Sequence, residues 1–170
     1  YSNSSMIDGV KLVLFYQPSH TQSSVESSTE VGIQYTGIEG LEVGYAFGDN
    51  NDGGAGQSIE NSNLYLKYAM DAFTVGVQDN STDSDGALAD SDFRAYGISY
   101  AVSDNLSVSY NVSKVEHENT SLQDQDATGM SVSYTNGSVT VSASMNSVDN
   151  VAGAAATDNS GYEVNFVFAF

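Results

Sequence analysis

The chain contains no cysteine, no tryptophan, one proline and only four basic residues among its 170. The lack of cysteine excludes disulfides and thiolate chemistry. Four basic residues against 22 acidic ones give a net charge of −18, which repels nucleic-acid phosphates and excludes a nucleic-acid partner. Charged residues nevertheless make up only 15% of the chain and hydrophobic residues 40%, so an acidic disordered segment is excluded as well.

Long apolar runs are also missing. No segment approaches the about 18 apolar residues that a membrane-spanning helix needs, so any membrane crossing must use strands. The residues Tyr1 to Ser5 lack the basic start and the apolar segment of a signal peptide. We therefore expect a mature chain, or a piece of a longer one, that forms a single domain over residues 1–170.

What the chain has in abundance is alternation with a period of two. The last stretch is the clearest case, because one of its two faces carries Tyr162, Val164, Phe166, Phe168 and Phe170. Nine further segments follow the same rule and none has helical periodicity. The pattern predicts ten strands of about 9–11 residues, which is the length of a strand that crosses a membrane.

The connections between these strands alternate in length. Short turns such as Asn136-Gly137 follow every second strand, and long polar segments such as 18–28 and 79–90 follow the others. Short turns at one rim and long, acid-rich loops at the other are typical of a transmembrane antiparallel up-and-down β-barrel. The sequence therefore predicts an all-β barrel of this class.

A soluble β-sandwich is the competing fold, since its core would also use one apolar face of each strand. The polar faces hold mainly Ser, Gly, Thr, Ala and Asn, whereas a soluble exterior is rich in Lys and Glu. This composition favours the barrel.

Two passages carry a resemblance to a known family. The alternating last strand with its terminal Phe170 resembles the assembly signal of Gram-negative outer-membrane proteins. The stretch Tyr1-Ser2-Asn3-Ser4 is followed by a short turn that ends in Gly9 and by the alternating strand 10–17. This order is similar to a passage that comes after the constriction loop in general bacterial porins. The long acidic loops resemble those of porins from marine alphaproteobacteria.

The resemblance implies that these ten strands are the C-terminal ten of a sixteen-stranded porin that forms a homotrimer in the bacterial outer membrane. The loops would then be extracellular, and the short turns and the C-terminus periplasmic. A complete ten-stranded barrel with a narrow lumen is the alternative.

The faces opposite the apolar residues are expected to line the pore. The predicted pore-lining residues are Lys11, Gln17, Gln34, Glu42, Lys67, Gln78, Asn111, Asn146, Glu163 and Asn165. A passive pore needs a wet wall with a few fixed charges that bias which ions pass. The acid-rich mouths indicate a preference for cations.

Other chemistry has little support in the sequence. His20 and His117 lie far apart without a matching set of partners, and no Gly-x-Ser-x-Gly motif occurs. The segment with Asp83, Asp85 and Asp92 echoes an EF-hand loop, but the first ligand position is Ser81 and the last is Asp. A solvated acidic loop is therefore favoured over a weak calcium site that bridges loops or lipopolysaccharide. No other cofactor and no enzyme activity are expected.

The favoured hypothesis is an outer-membrane diffusion porin for ions and small hydrophilic solutes, surrounded by outer-membrane lipid and lipopolysaccharide. The alternative of a different class is a non-conducting barrel whose long acidic loops act in adhesion or bind a partner. A soluble β-sandwich binding module is the third hypothesis.

Overall fold

The computed structural model describes residues 2–19, 27–52, 57–85 and 90–169. They form one antiparallel sheet of eleven strands, in which neighbours in space are neighbours in sequence. The strands are β1 (Ser2–Ile7), β2 (Val10–Gln17), β3 (Ser28–Tyr35), β4 (Leu41–Asp52), β5 (Gln57–Met70), β6 (Phe73–Ser84), β7 (Ser91–Ser103), β8 (Leu106–His117), β9 (Gln125–Asn136), β10 (Val139–Asp149) and β11 (Asn159–Phe168). A short 3-10 helix, Val151–Gly153, precedes β11. Within the described ranges, no helix has the length and apolarity of a membrane span.

The ten predicted strands are all present, as β2 to β11, and the structure adds β1. Among the described residues this strand pairs with β2 at three positions, and its register shifts between Asn3 and Ile7. Its sequence, Ser-Asn-Ser-Ser-Met-Ile, has no apolar alternation, so periodicity alone could not reveal it.

The strands extend further toward the loops than the sequence indicated. Strands β4 to β9 contain 12 to 14 residues each. The predicted loop 79–90 is therefore wrong over residues 79–84, which belong to β6. Cross-strand pairs continue the ladder there, because Asn63 donates to Asn80 over 2.6 Å and Thr82 donates to Asn61 over 2.9 Å. Polar residues that read as a loop are thus paired within the sheet.

The strand registers bring all the apolar alternations to one side of the sheet. Leu66 lies opposite Val43 on β4 and Val77 on β6. The polar residues come together in the same way on the other side, where Asn111 lies between Gly97 and Gly129. We call the two sides the apolar face and the polar face.

The apolar face is not covered by another layer of protein. None of the described residues forms a buried hydrophobic core, and Tyr162, Phe166 and Tyr16 are 87%, 62% and 66% exposed. A soluble sandwich would pack this face against a second sheet about 10 Å away. The single layer removes the soluble-sandwich hypothesis and leaves an apolar face that needs apolar surroundings.

The turns at one rim are tight. Gly9, Gly40 and Gly137 have positive φ angles of 72°, 77° and 59°, a region that glycine enters without steric cost. Residues 71–72 connect β5 to β6, and Asp71 adopts φ 50° there. These two- to five-residue connections confirm the predicted rim of short turns.

At the opposite rim, two loops lock together. The N–H of Gln123 donates to the Gly153 carbonyl over 2.9 Å, and the Asn150 side chain donates to the Asp124 carbonyl over 3.0 Å. Asn150 also accepts a hydrogen bond from the N–H of Ala156. Segments 118–124 and 150–158 therefore form one ordered unit.

Candidate functional site: the polar face of the sheet

The structure places the ten predicted pore-lining residues on the same face of the sheet. Their common side follows from the registers, which set Lys11 opposite Gln34, Glu42 opposite Lys67, and Glu163 opposite Ser144. The other members of this set are Gln17, Gln78, Asn111, Asn146 and Asn165. Their role in lining a pore stays a prediction.

Part of this face is concave. Between β2 and β6, toward the loop rim, it borders an open space of about 740 Å³. The polar residues that line it include Gln17, Glu30, Asn61, Asn63 and Asn80. A wall of amides and hydroxyls around such a space offers hydrogen bonds to water and to hydrophilic solutes.

Two charged groups of the polar face, Glu42 and Lys67, meet in a cluster on β3, β4 and β5. Lys67 Nζ lies 2.8 Å from Glu42 Oε2. The other carboxylate oxygen accepts from Gln34 Nε2 over 2.8 Å and from the Tyr65 hydroxyl over 3.0 Å. We call Gln34, Glu42, Tyr65 and Lys67 the Glu42 cluster. Both oxygens of the Glu42 carboxylate therefore have partners within the cluster, and one of these partners is the Lys67 ammonium.

Tyr65 is the member that the sequence prediction missed. The alternation of β5 puts Tyr65 on the polar face. The tyrosines of the other strands belong to the apolar face, so tyrosine was not counted among the pore-lining residue types. Its ring lies across Gly44, where a Cβ atom would collide with ring atoms of Tyr65. Glycine at position 44 therefore lets the hydroxyl of Tyr65 reach Glu42.

The polar face of β6 to β11 carries small, uncharged side chains over most of its area. The hydroxyls of Ser109 and Ser131 are 2.8 Å apart. At Gly129, an added Cβ atom would come within 2.6 Å of the Asn111 amide oxygen and 2.7 Å of the Asn146 amide oxygen. Two amides thus converge over a glycine, and this part of the wall is neutral and hydrophilic.

A second group of charges lies on the apolar side, at the loop rim. Arg94 Nε is 2.8 Å from Asp79, and Lys114 Nζ is 3.0 Å from Glu116 and 2.9 Å from Asp124. The hydrogen bond from Lys114 is the largest cause that holds the pKa of Asp124, in loop 118–124, below its ordinary value. These paired charges lie at the end of the apolar face that is nearest the long loops.

The candidate metal ligands lie on both sides of residues 86–89, which are outside the described ranges. Asp83 belongs to β6, Asp85 follows that strand, and Asp92 belongs to β7. Among the residues that the structure describes, no three His, Cys, Asp or Glu side chains are placed to hold a metal ion.

Four members of the predicted assembly signal, Tyr162, Val164, Phe166 and Phe168, lie on the apolar face of β11. The fifth, Phe170, lies outside the described residues.

Comparison with known proteins points to one family. A family profile described as Gram-negative porin matches residues 1–122. A search of curated proteins gives no match.

Solved structures share the fold. The sheet is similar to an anion-selective porin from Comamonas acidovorans, with a TM-score of 0.76 and 13% identity over 95% of this chain and 56% of that one. It is also similar to OmpT, an outer-membrane protein of Vibrio cholerae, with a TM-score of 0.69 and 15% identity over 100% of this chain and 63% of that one. The chain thus spans about three fifths of these proteins, and identities this low show the fold alone.

Proposed function

Because the chain belongs to the Gram-negative porin family, we propose that its sheet forms part of the wall of a pore through which ions and small hydrophilic solutes diffuse passively. Family and fold point to an outer-membrane channel and not to an enzyme. The observation that carries the proposal is the division of one sheet into an uncovered apolar face and a polar face that is partly concave. The apolar face is suited to contact with lipid, and the polar face is suited to contact with water.

We extend the proposal to a closed barrel. In the part of the chain that the structure describes, strands β1 and β11 each pair with a single neighbour in the sheet. Unpaired N–H and C=O groups cost several kcal/mol each in hydrocarbon, so both edges need partner strands in a membrane. The sixteen-stranded barrel that the sequence resembles would supply them, and its homotrimer is part of the same proposal.

The orientation and the surroundings are proposed on the same grounds. The short turns would face the periplasm and the locked loops the exterior. The paired charges around Arg94 and Lys114 would then lie level with the headgroups of lipopolysaccharide, because they flank the apolar face at the loop rim.

A modest cation preference is the finer part of the proposal. Among the strand residues whose side chains the structure describes, the charged ones on the polar face are Glu30, Glu42 and Glu163 against Lys11 and Lys67. The mutual neutralisation of Glu42 and Lys67 leaves two acids and one lysine, and the whole chain carries a net charge of −18. The anion selectivity named for the Comamonas protein is a property of that protein. At 13% sequence identity, it does not carry over to this chain.

Planar-bilayer recording of the full-length native protein tests the function. We expect stable single-channel currents and, in a gradient of potassium chloride, a reversal potential of the sign that marks cation preference. A reversal potential of the opposite sign would contradict the cation preference but would still agree with a porin function. Absence of current from correctly folded protein would overturn the porin and favour the non-conducting barrel that binds a partner through its loops.

A further inference from the structure

We propose that the polar face carries a binding site for short neutral saccharides, centred on Phe15. The proposal rests on the proposed pore, since it assigns this face to the water-filled lumen and names one class of solute that binds there. An uncharged saccharide differs from an ion because the fixed charges of the wall neither attract nor repel it as a whole. Its binding therefore requires a surface that fits its shape and its hydroxyl groups.

Phe15 is an aromatic residue on the face of the sheet where water is expected. The register sets it opposite Glu30, which lies opposite Gly48, and Gly48 lies opposite Asn61. Residues directly opposite each other in an antiparallel sheet point to the same side. Phe15 is 46% exposed and borders the open space of about 740 Å³. An aromatic ring that is exposed to water is stabilised when an apolar surface covers it.

Two amides that border the same space are oriented by their own hydrogen bonds. The Asn61 side-chain oxygen accepts from the Thr82 hydroxyl over 2.9 Å. The Asn80 side-chain oxygen accepts from Asn63 over 2.6 Å and from Gln78 over 3.1 Å. Among the described residues, neither the Asn61 nor the Asn80 Nδ2 group donates to a protein acceptor. Each of them therefore keeps two hydrogens for a ligand.

Glu30 supplies acceptors between the ring and these amides. Its side chain runs across Gly48, where an added Cβ atom would lie 3.2 Å from Glu30 Cγ. In the described part of the chain, no Lys or Arg nitrogen comes within 4.0 Å of the Glu30 carboxylate, and no side chain donates a hydrogen bond to it. A hydroxyl group both donates and accepts hydrogen bonds. A free carboxylate beside two free amide groups therefore matches a ligand with several hydroxyl groups.

The width of the site indicates the length of the saccharide. The C–H bonds of a sugar ring make one of its faces apolar, which suits Phe15, and its hydroxyl groups project from the edges. Phe15 on β2 and Asn61 on β5 are three strand spacings apart, which amounts to about 14 Å of sheet. Two or three linked sugar rings span that width, which favours a short oligosaccharide over a single sugar.

An organic ammonium ion is the competing ligand, because an aromatic ring and a carboxylate also attract a cation. Such an ion would leave the amide hydrogens of Asn61 and Asn80 unused, so the donors favour the saccharide. Choline, which has a quaternary ammonium group, is the probe that separates the two classes of ligand.

Saturation-transfer difference NMR of the folded, full-length protein in detergent micelles tests binding without reference to conduction. Maltotriose, cellotriose and raffinose are the saccharide probes, and choline chloride is the competing probe. We expect the ring C–H protons of at least one saccharide to receive magnetisation from the protein, with saturation at a lower concentration than for choline. Saturable transfer to none of the three saccharides, or tighter binding of choline, would overturn the site.

Substitutions locate the binding. Phe15→Leu keeps an apolar side chain but removes the flat ring, and it should weaken binding at least about threefold, whereas Phe15→Tyr should retain binding. Phe73→Leu is the matched control, because Phe73 is 45% exposed on the apolar face, where it lies opposite Tyr100. Equal effects of Phe15→Leu and Phe73→Leu, or loss of binding in Phe15→Tyr, would contradict a site centred on Phe15.

Conduction separates the site from the pore. The saccharide that binds most tightly should interrupt the potassium chloride current of the native protein, and Phe15→Leu should shorten these interruptions at least about threefold, because affinity differences lie mostly in the dissociation rate. A steady current together with no binding by NMR would overturn the site and leave the pore. Saturable binding by a protein that carries no current would contradict the pore and leave the site standing.

Discussion

Replacing Gly44 by alanine gives a test in which two physical effects have opposite signs. Glycine inside a strand is unfavourable by roughly 0.5–1 kcal/mol relative to alanine, so propensity alone predicts that the substitution stabilises the sheet. The structure predicts the opposite, because the new methyl group would collide with the ring of Tyr65 and force it away from the wall.

The size of the effect follows from what Tyr65 loses. Its hydroxyl accepts a hydrogen bond from Gln34 over 3.0 Å and donates one over 3.0 Å. At about 1 kcal/mol for each hydrogen bond, the loss is about 2 kcal/mol, which exceeds the gain in strand propensity. We expect Gly44→Ala to lower the free energy of unfolding by about 1–1.5 kcal/mol.

Gly76→Ala is the matched control. Gly76 is on the same face of the sheet, and an added Cβ would meet only the Leu66 carbonyl oxygen at 3.8 Å, an ordinary contact. It should be neutral or stabilise by up to about 1 kcal/mol. Urea unfolding in lipid vesicles, followed by tyrosine fluorescence because the chain has no tryptophan, measures both variants. If Gly44→Ala is at least as stable as Gly76→Ala, the packing of Tyr65 across Gly44 is refuted.

Three further predictions concern the locked loops. Asn150→Ala should lower loop stability by roughly 2 kcal/mol through loss of two side-chain hydrogen bonds, seen as faster proteolysis within 118–124 and 150–158, and unchanged proteolysis would contradict it. Ala152→Gly should raise the loop's resistance to protease, because Ala152 holds a φ of 56°, and lower resistance would argue against strain there. Asp124→Asn should reduce stability at neutral pH. The pKa of Asp124 is lowered in the folded protein, so the native protein should exceed the variant in stability by the full amount above the ordinary pKa of 3.8. This difference in stability should shrink as the pH falls below 3.8. A variant that is still less stable than the native protein at about pH 2 would contradict the pairing with Lys114.

The sequence was sufficient for the order of the strands and for the division of their faces. Period-two alternation can be read within each strand. Because the registers of β2 to β11 place apolar residues opposite apolar residues, the pattern of each strand was enough to predict which residues lie on the same face of the sheet. The family resemblance was confirmed by the profile match over residues 1–122. The marine alphaproteobacterial type, the sixteen strands and the trimer stay predictions.

The missed features depend on contacts between strands. β1 has no apolar alternation, and the polar pairs that extend β6 look like a loop until a partner strand is present. The Glu42 cluster requires β3, β4 and β5 to be aligned, and no single segment shows that Tyr65 crosses Gly44. Parity could place Glu42 and Lys67 on one face, but only the register shows that they are opposite each other.

The most direct test of the account uses the fact that the chain has no cysteine. Ser131→Cys and Val132→Cys place one thiol on the polar face and one on the apolar face, at adjacent positions of β9 and so at nearly the same depth. A charged, water-soluble thiol reagent is added during single-channel recording of each variant. We predict that it reacts with the thiol at position 131 and lowers the conductance, while the thiol at position 132 stays protected by lipid. Reaction at 132 with no reaction at 131, or equal reaction at both without a change in current, would contradict a pore lined by the polar face.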